Sequence, residues 1–377
     1  MKIGVMTYWV WENYGSILQC YALQKYLQEM GHDVYLIRYD PRKDSYKLNI
    51  LEKMARVINP IKLYGYIKLK IVNNYERKYK SRKFDVFLKM HIVQSEKIYY
   101  SYAELKENPP VADMYIVGSD QVWNFNDINL KANIHAYFLD FGRPETKRIS
   151  YAASFGKDII QDSFVEVIGP LLKKFDYVSV REKTGLNICK ECGIHNAELM
   201  PDPTLITNVN IYRSLYSEGL FTKPNKPYCF LYLLSKKIDI STKKIYDWAK
   251  NENLGVIYIT ANDRVDRYKK IYATIAKWIF LLENAEYIIT DSYHASIFSI
   301  LFKKKFGVIR HSGRTMMQNS RFDTLFDLLQ LEKRYISQDD FSVVKKEIDW
   351  YFNSNILENM KKSCILNKFY NKNNKLD

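Results

Sequence analysis

The sequence has no apolar run approaching the roughly 18 residues that a membrane-spanning helix needs; the best stretch, 278–282, stops at Glu283. Its opening, MKIGVMTYW, enters a strand-like run without the apolar segment or cleavage site of a secretory signal. A cytoplasmic protein is therefore expected. Cysteine is scarce. Five are scattered at Cys20, Cys189, Cys192, Cys229 and Cys364, an odd and sparse set that does not read as a disulfide framework. Cys189-x-x-Cys192 lacks the second pair of ligands that structural zinc wants, so two thiols on a short amphipathic helix are expected and no metal. Several phosphate and catalytic signatures are also missing. There is no G-x-x-x-x-G-K-[ST] loop and no G-x-G-x-x-G, which argues against a P-loop nucleotidase or a standard dinucleotide enzyme. Neither a G-x-S-x-G elbow nor H-E-x-x-H occurs.

What is present describes a folded, basic protein. At roughly 100–200 residues per domain, 377 residues suggest two domains. With 47% hydrophobic and 26% charged residues, each can bury a core, and the composition argues against a disordered or low-complexity protein. The net charge is +15, and it is unevenly spread. Residues 41–100 hold 15 Lys and Arg against 5 Asp and Glu, interleaved with nine Tyr or Phe that include Tyr64, Tyr66, Tyr75, Tyr79 and Phe84. That mixture suits nucleic acid, an anionic membrane surface or simply a solvated helical face.

Strand and helix periods alternate along the chain. A strand at 3–7, a loop at 9–15, a helix from 17 to Gly31 and a strand at 33–38 make one βαβ unit. A basic helical excursion is expected over 51–89, interrupted near Pro60. Strands then follow at 114–117, 148–155 and 177–180, with helices at 165–175 and 183–192, the last ended by Gly193. Met200-Pro201-Asp202-Pro203 reads as a rigid corner and Lys223-Pro224-Asn225-Lys226-Pro227 as a linker. Beyond it, strands at 229–234, 256–260, 287–290 and 306–309 alternate with helices near 242–252, 272–284, 294–302 and 319–330. The expected domains are 1–222, carrying the basic insertion, and 223–335, followed by a helical tail at 336–377.

In open α/β sheets ligands bind beyond the carboxyl ends of the strands, and three loops lie there. Asn13-Tyr14-Gly15-Ser16 opens a helix, where Gly15 permits close approach and the helix N-terminus can hold an anion or hydroxyl; Ser16 could equally be only a cap. Gly118-Ser119-Asp120-Gln121-Val122-Trp123-Asn124 combines an acid, amides and an indole, the set that holds sugars, although a turn around a buried Trp123 would look the same. Thr290-Asp291-Ser292-Tyr293-His294 places a histidine at a strand end and a helix start, and His294 is the only one of six expected to be catalytic. Arg181, Arg310, Arg314 and Arg321, with His311, follow strand ends and can bind carboxylate or phosphate through bidentate contacts.

The series NYGSILQCYALQKYL, IVGSDQVWN, SYAASFG, YVSVREKTG, MPDPTL, ITDSYHASIFSILF and NSRFDTLF, in this order from about residue 3 to 335, resembles the polysaccharide pyruvyl transferase family. The resemblance implies a GT-B-like α/β fold, two Rossmann-like α/β domains facing a central cleft. It implies transfer of pyruvate from phosphoenolpyruvate to a sugar as a cyclic ketal, in synthesis of capsule, exopolysaccharide or cell-wall polymer, with no cofactor beyond the donor. By the same resemblance His294 is the acid/base, matching the histidine of an Arg-Leu-His-like motif. Arg181 matches the arginine of an R-[DE]-x-x-[SG] motif and binds the donor. Ser292 is expected among the phosphoenolpyruvate-binding residues but stands where many members have arginine, so Arg314 or Arg321 is expected to supply that contact, Arg321 first. Asn13, Tyr14, Gly15, Asp120, Trp123 and Asn124 are expected to hold the acceptor on the N-terminal side, opposite a donor side in the C-terminal domain. Family acceptors are often lipid-linked. The basic segment 41–100 would then meet an anionic membrane surface or a polyprenyl diphosphate, making the protein peripheral at the inner face of the plasma membrane, with no nucleic acid partner. Two other readings stay open: a GT-B nucleotide-sugar glycosyltransferase, and a non-catalytic glycan- or membrane-binding assembly protein.

Overall fold

The computed structural model describes residues 1–42, 82–125, 131–235, 238–259, 266–337, 340–364 and 366–367. Most of the basic segment 41–100, including Tyr64, Tyr66, Tyr75 and Tyr79, lies outside them, as does the helical excursion expected over 51–89 except for its end, which is helical over Phe84–His91. Among the described residues no helix is long and apolar enough to cross a membrane.

The strands are β1 (Lys2–Met6), β2 (Asp33–Tyr39), β3 (Gln94–Tyr99), β4 (Met114–Val117), β5 (Lys147–Ser150), β6 (Ser179–Val180), β7 (Glu198–Leu199), β8 (Tyr228–Tyr232), β9 (Gly255–Ile259), β10 (Tyr287–Thr290) and β11 (Lys305–Val308). Between them lie helices α1 (Tyr14–Glu29), α2 (Phe84–His91), α3 (Tyr102–Glu107), α4 (Lys131–Tyr137), α5 (Asp162–Leu172), α6 (Lys183–Glu191), α7 (Pro203–Ile206), α8 (Asn210–Arg213), α9 (Thr242–Asn251), α10 (Ile275–Glu283), α11 (Tyr293–Leu301), α12 (Ser320–Leu328), α13 (Ser342–Lys345) and α14 (Trp350–Lys362).

The N-terminal sheet is parallel in the order β3-β2-β1-β4-β5, and isolated bridges from Ile149 to Tyr177 and from Ala153 to Val180 carry it on toward the β6-β7 pair. The C-terminal sheet is parallel in the order β11-β10-β8-β9. Both faces of each sheet are covered, so the strands read as near-continuous apolar runs such as MYIV and YCFLY. Within β4, Met114 and Ile116 meet Leu23 and Leu27 of α1, while Tyr115 and Val117 meet Tyr137 and Phe138 on the other face. This is the two-domain GT-B-like arrangement.

Helix α1 joins the domains because it is apolar almost all round. Leu23 and Leu27 face its own sheet, whereas Tyr14, Leu18 and Tyr21 share a cluster with Trp278, Ile288 and Phe298 of the C-terminal domain. Tyr14 is fully buried, stacked 5.4 Å from Trp278, with its hydroxyl donating to the Ala273 carbonyl at 2.6 Å. At about 1.5–3 kcal/mol for each large apolar side chain buried, this seam holds the two sheets in one relation.

The segment after 335 is more than a tail. Ile336, Phe341 and Val344 pack on the C-terminal sheet, against Gly307, where a Cβ would sit 2.7 Å from both Ile336 and Val344. Helix α14 then leads back to the N-terminal domain. There Cys364 and Leu366 join the cluster of Ile3 and Val5, and Tyr26 donates to Asn367 at 2.9 Å. All five cysteines are buried and unbridged. Burial alone accounts for the raised thiol of Cys20; for Cys189 burial comes first, with the neighbouring Cys192 and Glu182 adding to it.

Candidate active site

Each sheet has a switch point where successive strands turn to opposite sides, β1/β4 in the first and β8/β10 in the second, and crevices form there. The loops after all four strands converge on one cleft of about 270 Å³ between the domains. Asn13, Ser16, Asp120 and Gln121 line it from the N-terminal side; Leu234, Ser235, Asp291, Ser292, Tyr293, His294, His311, Gln318 and Arg321 line it from the other.

On the N-terminal wall, Asn13 caps α1. Its Oδ1 accepts from the N–H groups of Gly15 at 2.9 Å and Ser16 at 3.3 Å. Ser16 is thereby free to donate its hydroxyl to Asp120 Oδ2 at 2.5 Å. Asp120 sits at φ +98°, in the left-handed region that a non-glycine residue enters only when its surroundings hold it there. Its Oδ1 accepts from the Gln121 N–H (2.8 Å) and its carbonyl from the Ser154 N–H (3.0 Å), which fixes that conformation.

On the opposite wall, Ser292 caps α11, accepting from the Ala295 N–H at 3.3 Å. Asp291 accepts from the N–H groups of Leu234 (2.6 Å) and Ser235 (2.8 Å), tying the loop after β8 to the end of β10. His311 bonds Ser235 Oγ through Nδ1 at 3.0 Å, and its buried Nε2 has no hydrogen-bond partner among the described residues. Burial lowers its pKa, opposed by the charge of Asp291 and assisted by that of Arg321. Arg321 is the one Arg or Lys among the described lining residues. Gln318 holds it twice, through its carbonyl (3.2 Å) and its side-chain oxygen (3.0 Å). Burial and the nearby Arg181 charge bring it down to about 10, so it stays cationic at neutral pH.

His294 enters from the first turn of α11 and lies across the domain seam against Gly15. A Cβ on Gly15 would stand 2.2 Å from His294 Nδ1, so glycine is what lets the ring settle there. His294 Nε2 is 3.3 Å from Asp202 Oδ2, a close contact that lacks the alignment of a hydrogen bond. Asp202 is wholly buried at the start of α7. Its Oδ1 accepts from the Thr204 N–H (3.0 Å) and hydroxyl (2.6 Å), while its Oδ2 accepts from Ser119 Oγ (2.7 Å) and Arg181 Nη1 (3.0 Å). Burial raises the Asp202 pKa, but His294, Arg181 and Thr204 outweigh it and hold the carboxyl far below the usual range.

Of the residues expected at the site, Asn13, Asp120, Ser292, His294 and Arg321 line the cleft, and Gly15 lies beneath His294. Others are placed elsewhere. Tyr14 belongs to the interdomain core. Trp123 is in the core too, stacked on Phe138 at 4.9 Å with its indole N–H on the Tyr137 carbonyl, because the N-terminal sheet supplies an aromatic slot that fits it. Asn124 donates to Gln121 Oε1 at 2.7 Å and stands behind that cleft residue. Arg181 does not line the cleft. It is fully buried behind Tyr293, its guanidinium 4.5 Å from that ring, with Arg321 5.6 Å away on the same ring. Burial opposes the charge of Arg181, yet Tyr293 and Asp202 raise its pKa overall. The Ser292 hydroxyl is engaged as a cap, and the side chain of Arg314 lies outside the described residues. Ser235, Gln318 and Asp202 belong to the site beyond the residues expected from sequence. The strand-end rule could have found Ser235, whereas the other two owe their places to tertiary packing.

An Arg side chain and two histidines face an acid, two amides and a hydroxyl across a cleft, which suits a small anion on one side and a polyol on the other. Among solved structures, a UDP co-structure of MnaA from S. aureus matches with TM-score 0.52 at 11% identity, covering 96% of this chain and 90% of that one. A protein assigned as a UDP-N-acetylglucosamine 2-epimerase in Listeria monocytogenes matches with TM-score 0.50 at 9% identity, covering 96% and 90%. At such identities these likenesses speak for the fold alone. No curated protein matches the sequence. The family model for polysaccharide pyruvyl transferases matches residues 13–313, from the cap of α1 through His294 to the loop after β11. With most of its length inside that model and the cleft where two facing Rossmann-like sheets should form it, the chain belongs to the polysaccharide pyruvyl transferase family.

Proposed function

We propose that the protein transfers pyruvate from phosphoenolpyruvate to two hydroxyls of a saccharide, closing a cyclic ketal and releasing phosphate. The observation that carries this reading is the place of His294, in the cleft between a hydroxyl-binding wall and an arginine-bearing wall. Arg321, with Gln318 and His311 beside it, receives the donor's anionic groups, and the positive end of the α11 dipole adds to the attraction. Arg321 thereby supplies the charge that the family places at the position of Ser292. Asn13, Ser16, Asp120 and Gln121 take the sugar hydroxyls.

The chemistry runs in two additions. The donor's methylene carbon gains a proton, leaving an oxocarbenium-like centre at C2. One sugar hydroxyl attacks C2 and gives up its proton. The C2–O bond to phosphate then breaks, and a second hydroxyl closes the ring and loses its proton. Of the two hydroxyl protons, one balances that on the new methyl group and the other leaves with phosphate. His294 can serve each transfer, a role worth about 10²–10⁴-fold for a positioned acid/base. The reading extends to lipid-linked acceptors, with the basic segment 41–100 beside an anionic membrane at the inner face of the plasma membrane.

Phosphate release from phosphoenolpyruvate, measured with a panel of lipid-linked and aryl galactosides, glucosides and N-acetylmannosaminides, tests the reading. Release that needs both an acceptor and His294 is expected. No turnover with any acceptor, beside saturable binding of a nucleotide sugar, would replace it with a glycosyltransferase.

A further inference from the structure

We infer that Asp202 is the positioning residue for His294: it accepts the Nε2 N–H across the domain seam, keeping that proton on the ring, and leaves Nδ1 as the edge that exchanges protons with substrate. This inference rests on the pyruvyl-transfer reading for its kinetic consequence but not for its geometry. Asp202 is wholly buried, and a buried charge persists only where every lone pair is answered. Thr204 occupies Oδ1 twice, at 3.0 and 2.6 Å. Oδ2 meets Ser119 Oγ at 2.7 Å, Arg181 Nη1 at 3.0 Å and His294 Nε2 at 3.3 Å. All these neighbours are donors, so the carboxylate can face His294 only as an acceptor. An imidazole in its neutral form then carries its proton on Nε2.

The other ring edge faces the N-terminal domain. Nδ1 lies over Gly15, and His294 lines the same cleft as Asn13 and Ser16 of the hydroxyl-binding wall. Asn13 and Ser16 belong to the N-terminal domain and so does Asp202, whereas His294 starts a helix of the C-terminal domain. The histidine is therefore oriented by the domain that holds the acceptor, and its two ring nitrogens divide the work. Catalytic contacts that are long and poorly aligned in a free enzyme commonly tighten when substrate binds. The contact of 3.3 Å between His294 and Asp202 is of that kind.

Two measurements test the inference. In the wild-type protein labelled with ¹⁵N-histidine, with His294 assigned by comparison with His294→Gln, long-range ¹H–¹⁵N spectra read the tautomer of the neutral ring directly. A proton on Nε2 is expected, and a proton on Nδ1 would overturn the assignment whatever reaction the enzyme performs. The second is Asp202→Asn, which can accept through one oxygen only and so turns an N–H pair toward Thr204 or toward Arg181 and His294. If folded, it should lose roughly 10²–10⁴-fold in kcat, as a wrong tautomer costs in other acid–base enzymes, with the donor KM within a few-fold of wild type. A folded Asp202→Asn with wild-type kcat beside an active wild type would refute the positioning role and leave the pyruvyl-transfer reading standing. An inactive wild type whose His294 proton sits on Nε2 would do the reverse.

Discussion

Adding one methyl group at Gly15 should disable the enzyme by displacing His294 while removing no group that meets substrate. The Cβ of Gly15→Ala would lie 2.2 Å from His294 Nδ1, 2.4 Å from Cγ and 2.7 Å from Cβ. Ordinary contact begins near 3.4 Å. The ring must therefore retreat by about 1.2 Å to restore ordinary packing distances. The close atoms include the root of the side chain, so rotation about the outer bonds cannot relieve the clash. Alanine inside a helix is otherwise better than glycine by about 1 kcal/mol, while overpacking a filled seam costs about 1–3 kcal/mol. A net loss of up to about 2 kcal/mol in stability is expected from those two effects. Activity should suffer far more, because a misplacement of about 1 Å in a reacting group can cost on the order of 10²-fold. Acceptor-dependent phosphate release would report kcat and thermal unfolding would report the fold. Wild-type kcat with an unchanged Tm would refute the packing argument and detach His294 from Gly15.

Three further outcomes follow from the same geometry. Arg321→Met should raise the donor KM about 10- to 100-fold, the loss of a charged hydrogen bond of about 1.5–3 kcal/mol. Steady-state kinetics against donor concentration checks it. Because the Asp202 carboxyl is held below its ordinary 3.8, the stability it contributes is present above that value and lost as pH falls further; acid unfolding of Asp202→Asn should show a shallower limb than wild type. Trp123→Phe should keep the donor and acceptor KM within a few-fold, since the indole fills the core rather than the cleft. Trp123→Ala should lose about 3–5 kcal/mol of stability; a selective rise in acceptor KM for the phenylalanine variant would return Trp123 to the sugar site.

The two parallel sheets were legible because buried parallel strands leave unbroken apolar runs. Helix ends were legible where Gly31 at φ +84° and Gly193 at φ +80° mark them. Two strands escaped for the converse reason. β3 has the sequence QSEKIY on the sheet edge, where only Tyr99 is fully buried and polar residues fill the strand, and β7 pairs only Glu198 and Leu199. The strand expected over 148–155 is regular only over Lys147–Ser150, since Ala152 turns to φ +51°. At the site, Asn13, Asp120, His294 and Arg321 could be found from their positions after strands. Arg181 satisfied that rule and still lies behind Tyr293, because Asp202, 21 residues further along, draws it inward. Asp202 itself reads in sequence as part of a proline corner, and nothing in the spacing shows that its carboxylate meets His294, far along the chain in the other domain. Trp123 shows the limit from the other side: an indole beside an acid and amides has the composition of a sugar site, and only packing reveals that it faces Phe138 and Phe155.

The most direct test of the central claim is the product itself. Wild-type protein and His294→Ala would be incubated with ¹³C-labelled phosphoenolpyruvate and each saccharide acceptor, and the acceptor analysed by mass spectrometry. The account predicts an acceptor heavier by one labelled pyruvate less one water, formed with the wild type and lost by on the order of 10²–10⁴-fold with His294→Ala. Label that never reaches any saccharide, or reaches it equally well without His294, would contradict it.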